Sequence, residues 1–77
     1  AVIVVNSSSA VNITVPNTLS TGFFCQIIQK GTGQVTVVGS GTTINSASGF
    51  KTRLQNSSIG IMMESSTVGY ISGDSSL

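Results

Sequence analysis

Nowhere in the 77 residues do apolar side chains recur at helical spacing with polar faces between them; they come in short runs cut by turn residues. Ser, Thr, Gly and Val, which recur throughout, are poor helix formers. Ala1–Val5 is a continuous apolar, largely β-branched run and predicts a strand buried on both faces. Val11-Asn12-Ile13-Thr14-Val15 alternates strictly, which places Val11, Ile13 and Val15 on one face before Pro16-Asn17 stops the ladder. Phe23–Gln29 is the most apolar segment, with Phe23, Cys25 and Ile27 on one face and Phe24, Gln26 and Ile28 on the other.

Gly31-Thr32-Gly33 predicts a hairpin-type connection into Gln34–Val38, and Gly39-Ser40-Gly41 a second turn before Thr42–Asn45, with glycines supplying positive φ. Ser46–Gly49 reads as a small-residue loop. Lys51–Gln55 alternates as a strand, with Thr52 and Leu54 opposing Lys51 and Arg53. Asn56-Ser57 turns the chain into Ile59–Glu64, Val68–Ser72 is the last strand, and Gly73–Leu77 reads as a tail or linker. The sum is a single all-β domain over residues 1–77: a small antiparallel sandwich or jelly-roll-like domain of about eight short strands. The segments are too dissimilar to predict a solenoid repeat. The chain begins at Ala1 without a methionine and ends after a Ser/Gly-rich stretch, as expected of a fragment of a longer polypeptide.

A chain of 7.8 kDa exposes roughly 4,400 Å² when folded alone, and in so short a chain apolar burial barely offsets the entropy of ordering. A staple is therefore expected. The lone Cys25 closes no internal disulfide, there is no histidine, and Glu64 and Asp74 are too few and too far apart in sequence for a metal cage, so no cofactor is expected. Self-association is the remaining staple. It suits a chain only 6% charged, against about 25% in ordinary soluble domains, whose surface must be Ser, Thr, Asn, Gln and apolar side chains.

The net charge of +1 comes from Lys30, Lys51 and Arg53 against Glu64 and Asp74, which argues against nucleic acid as a partner. No apolar run reaches the ~18 residues of a helical membrane span, so membrane insertion is not expected. Abundant Val and Ile and a mean hydropathy of +0.40 argue for folding rather than disorder.

Catalytic chemistry finds no foothold. Cys25 lies among Phe and Ile with no histidine to activate it, which describes an inert buried thiol. The fourteen serines include no G-x-S-x-G elbow and no base to take a proton. Neither glycine-rich turn precedes a helix or a G-K-[ST], as phosphate cradling requires. Three N-x-[ST] matches, at Asn6, Asn12 and Asn56, are the chance matches expected of a Ser/Thr-rich chain. Lys51 and Arg53, on one face of a predicted strand, are the candidate contacts for an anionic partner such as a sugar acid or phosphate; Tyr70 joins them as a candidate contact.

The order of these signals resembles a domain of tailed-phage tail fibres, tailspikes and other virion structural proteins. Val11–Pro16 matches its opening strand. Gln29-Lys30-Gly31-Thr32-Gly33-Gln34-Val35-Thr36-Val37 is similar to its Q-x-G-x-G-x-V-x-[VI] core, and Gly41-Thr42-Thr43-Ile44-Asn45-Ser46 to its G-x-x-I-N-S stretch. Thr52-Arg53-Leu54-Gln55-Asn56-Ser57 and Gly73-Asp74 complete the order. The match covers roughly residues 11 to 74, and where the family carries a tryptophan before the closing Gly-Asp this chain has Gly69-Tyr70. The resemblance implies a virion component, usually a homotrimer, without catalytic residues, acting extracellularly on the host and with a host-surface glycan as a second kind of partner. Two alternatives stand beside it. One is a carbohydrate-binding module gripping glycan with the loops after Gly39 and Ser46; the other is the terminal domain of a depolymerising spike whose active site lies upstream.

Overall fold

A computed structural model describes the whole of residues 1–77 and contains nine strands and no helix. These are β1 (Val2–Val5), β2 (Val11–Val15), β3 (Phe24–Gln29), β4 (Val35–Gly39), β5 (Thr43–Ser46), β6 (Lys51–Thr52), β7 (Ser58–Met63), β8 (Val68–Gly73) and β9 (Ser75–Ser76). They form a five-stranded sheet, A, in the order β1-β3-β7-β8-β5 and a four-stranded sheet, B, in the order β2-β4-β6-β9. The all-β reading holds. The sheets are mixed rather than antiparallel throughout: β1/β3, β2/β4 and β5/β8 pair in parallel.

The chain crosses between sheets at every connection except β7–β8, which is the one hairpin. The first two crossings repeat. Val2 pairs with Gln26 and Val5 with Gln29 in sheet A, while Val11 pairs with Val35 and Val15 with Gly39 in sheet B. Every partner lies 24 positions further on, so residues 1–15 form one coil of strand, arch and strand, stacked in register on a second coil at 25–39. The repeat that sequence similarity was too weak to predict is present in three dimensions, carried by pairs such as Ile3/Ile27 and Val11/Val35.

The arches stack as well, and this gives Gly31 and Gly33 their purpose. Neither has positive φ, and their loop is no hairpin, because β3 and β4 lie in opposite sheets. A Cβ on Gly31 would fall on the Ser7 carbonyl and one on Gly33 on the Ser9 carbonyl. Close approach of two backbones requires glycine here, and Gly33 N–H donates to the Ser7 carbonyl at 2.8 Å. At Gly41 the expected positive φ is found, at 68°.

Between the sheets lies a core of Val15, Cys25, Ile27, Val35, Val37, Ile59, Ile61, Met63 and Ile71. Full burial of each large side chain contributes roughly 1.5–3 kcal/mol. The faces read from alternation are the observed ones in β2 and β3: Val15, Cys25 and Ile27 are buried, while Phe24 and Gln26 face out. Ala1–Val5 is not buried on both faces. As the edge of sheet A it leaves Val2 62% and Val4 55% exposed.

Two expectations for the second half change. Strand β6 ends at Thr52 instead of Gln55: Arg53 N–H makes one more bond in the same register, to the Asp74 carbonyl, and the chain then turns away through Asn56, which has φ of 74°. Leu54 is consequently half exposed. Gly73–Leu77 is not a tail or linker: Gly73, at φ 102°, swings the chain at Asp74 out of sheet A, and Ser75–Ser76 becomes β9 beside β6 in sheet B.

A polar knot joins the sheets. The Thr52 hydroxyl, fully buried, donates to Gln29 Oε1 and accepts from Val35 N–H at 3.0 Å. Gln29 Nε2 donates to the Gly31 carbonyl at 3.1 Å, and Gln34 Nε2 to the Thr52 carbonyl at 2.9 Å. No buried side-chain polar atom lacks a partner, so the knot escapes the desolvation penalty of an incomplete one.

Two substitutions test these contacts by urea unfolding. Gly33→Ala, which forces the arches apart, should cost at least about 2 kcal/mol. Thr52→Val leaves Gln29 Oε1 and Val35 N–H unsatisfied and should cost about 2–3 kcal/mol, with Gln29→Met in the same chain restoring part of the loss.

Candidate functional site

The register of sheet A places outward side chains in rows. Phe24, Met62, Tyr70 and Asn45 form one row across β3, β7, β8 and β5; Val2, Gln26, Gly60 and Ser72 form the next; Val4, Ile28 and Ser58 the third. Phe24 is 47% exposed, Met62 51% and Tyr70 45%, so with Val2 and Val4 they make an open apolar face. Its physical basis is local. Gly60 has no side chain, and the Phe24 ring occupies the space one would take, 3.0 Å from where a Cβ would stand.

None of these rows carries a charge. The nearest, Glu64, accepts a hydrogen bond from the Tyr70 hydroxyl at 2.7 Å, so the carboxylate stays at the rim and the phenol is held above its usual pKa by that bond and by the charge itself. Gln26 and Ser58 satisfy each other at 2.6 Å. The face therefore offers apolar area with few free polar groups, the character of an interface centre rather than of a soluble surface.

The three side chains singled out from sequence do not converge. Tyr70 belongs to this face. Lys51 lies in sheet B, without an ion pair, at a groove of about 460 Å³ that Val37, Val38, Ile44, Phe50 and Leu77 also line. Arg53 is engaged within the chain: Nε donates to Asp74 Oδ1 at 2.7 Å and Nη2 to Oδ2 at 3.0 Å. Asp74 also accepts from the buried Ser57 hydroxyl at 3.1 Å, which in turn accepts from Leu54 N–H. This fork-to-carboxylate pair spans the corner where the chain changes sheets, so the Arg53 guanidinium is engaged within the chain.

Phe24 and Met62, the centre of the face, went unmarked by sequence reasoning aimed at charge and aromatic chemistry. The available signal was alternation itself, which already put Phe24 outward from a strand whose other face is core. Glu64 and Asp74, too far apart in sequence to share a metal, are bonded instead to Tyr70 and Arg53 respectively. No group of three or more His, Cys, Asp or Glu side chains gathers anywhere.

Hydrogen bonding from Arg53 lowers the Asp74 pKa, with Ser57 and the guanidinium charge acting in the same direction against partial desolvation. A depressed folded-state value means the corner's contribution is complete above about pH 4 and is lost as pH falls through that lower value. Asp74→Asn should lower the melting temperature at pH 7 and flatten the dependence of stability on pH between about 2 and 5, measured by thermal denaturation across that range.

Comparisons with protein-family models, with curated proteins and with solved structures returned no match.

Proposed function

We propose that this chain is a non-catalytic structural and attachment module of a tailed-phage fibre or spike, assembled as a homotrimer through the outer face of sheet A. The observation that supports it is the uncharged Phe24–Met62–Tyr70 row with Val2 and Val4 beside it. Packed about a three-fold axis, three such faces bury aromatic and thioether surface with no charge to desolvate. The sequence resemblance supplies the setting: a virion protein, met by the host outside the cell.

One observation favours a carbohydrate-binding role in addition. The groove beside Lys51 and Phe50 adjoins both loops expected to grip sugar, after Gly39 and after Ser46, and its free ammonium suits an acidic glycan.

Light scattering at micromolar concentration should give a mass divisible by three chain masses, and Phe24→Lys with Met62→Lys should reduce it threefold while the β-sheet circular dichroism is kept. A mass of one or two chains, or one indifferent to the paired lysines, would overturn the trimer. Acidic-glycan binding on an array, lost in Lys51→Ala, would add the sugar-binding role; an array without signal would remove it.

A further inference from the structure

The side chains that an oxidant can attack are few, and the fold sorts them. There is no tryptophan and no histidine, and Tyr70 is the only tyrosine. Cys25 and Met63 are buried in the core. Met62 and Tyr70 are left, both half exposed on the outer face of sheet A and directly opposite each other across β7 and β8. Opposite residues of an antiparallel pair have Cβ atoms about 4.5–5.5 Å apart. An oxidant that reaches this chain therefore meets one small patch.

Tyr70 differs from an ordinary exposed tyrosine in what its hydroxyl touches. It donates to Glu64 Oε1 at 2.7 Å, the length of a bond between a hydroxyl and a charged carboxylate. The hairpin fixes where that carboxylate stands. Glu64 N–H and Ser65 N–H both donate to the Val68 carbonyl, at 2.9 and 3.2 Å, which closes the turn from β7 into β8. Glu64 is in no ion pair, so its charge is not neutralised by a cation. A phenol that loses an electron becomes a strong acid and sheds its proton at once. A base already hydrogen-bonded to the hydroxyl takes that proton without any rearrangement.

We propose that Tyr70 is a one-electron oxidation site, with Glu64 as its proton acceptor, and that it joins copies of this chain covalently. A one-electron oxidant, such as a high-valent metal complex, removes one electron from the phenol and is itself reduced by one. The hydroxyl proton moves to Glu64 Oε1, leaving a neutral phenoxyl radical beside a neutral carboxyl group. Two such radicals, from two copies, form a carbon–carbon bond between ring positions adjacent to the oxygens. The hydrogen on each bonded carbon then moves to its own oxygen, which restores both phenols, and each Glu64 releases its proton to water. The joining rests on the sheet A assembly proposed above, because Tyr70 lies on the shared face; the oxidation step does not. With a single tyrosine per copy, the first covalent product is a pair of chains.

The test exposes the full chain to a photogenerated ruthenium(III) polypyridyl complex. Tyrosyl radical is followed by transient absorbance, and the product by its mass under denaturing conditions. A species of two chain masses linked through Tyr70 is expected, and none from Tyr70→Phe. Glu64→Gln keeps a hydrogen-bond partner but not a base, and should slow radical formation at least about tenfold. The rate in the unaltered chain should also fall in deuterium oxide. An equal rate in a folded Glu64→Gln variant overturns the role of Glu64. Should that variant unfold, a rate indifferent to deuterium overturns it instead. Rapid radical formation without a linked pair overturns the joining, and light scattering of the untreated chain separates the causes. Three chain masses there leave the assembly standing, whereas one chain mass means that the assembly itself has failed.

Discussion

Backbone lies directly on backbone where Ser7–Ser9 cross Gly31–Gly33, and the architecture follows from that contact. Because no side chain fits between the arches, the first coil can settle on the second in only one register. That register carries β1 onto β3 and β2 onto β4, and so forces parallel pairing into two sheets at once. Glycine is usually a concession to a turn; here it is the spacer that sets the pitch of a stack. The polar knot of Gln29 and Thr52 sits at the same end of β3, so the residue that leads into the glycine arch also ties sheet A to sheet B.

Much of the local structure was legible because a period of two identifies a face. Val11, Ile13 and Val15, and Phe23, Cys25 and Ile27, point where alternation puts them. A face, however, is not a partner. Nothing in Val2–Val5 says that one side of the strand meets no neighbour, and an apolar run of that kind reads equally as a buried centre or an uncovered edge. Parallel stacking at 24 residues preserves only chemical similarity, Ile3 with Ile27 and Ser8 with Thr32, which a chain rich in Ser, Thr, Ile and Val also produces by chance. The glycines were legible as special but not as to why, since a positive φ and a crowded Cβ leave the same letter in the sequence. At the site the limitation is the same. Lys51, Arg53 and Tyr70 were visible as chemistry, but that Arg53 is spoken for by Asp74, 21 residues away, is a tertiary fact.

Sparse charge takes on meaning once the surfaces are mapped. Four of the five ionisable side chains that set the net charge are placed: Arg53 with Asp74 at the corner, Glu64 on the rim beneath Tyr70, Lys51 at the groove. None falls on the outer face of sheet A. The total accessible area, 4201 Å², is close to the roughly 4,400 Å² of a compact chain of this mass, so the protomer is well folded on itself. What sets it apart is the chemistry of that area, with apolar material concentrated on one face.

The rarity of hairpins has a kinetic consequence. Only β7 and β8 meet through a short connection; β1/β3, β2/β4 and β5/β8 join residues 24 or 25 apart, and β3/β7 residues 30 or more apart. Loop closure must therefore precede nearly all of the pairing that rewards it, which places this chain among slow folders for its size. The hairpin is the natural nucleus, and the β3/β7 pairing, which spans 30 or more residues, is the one that local contacts guide least. During synthesis or refolding the apolar strands would stay unpaired until those loops close, and crowding of chains at that moment would favour tangling over folding.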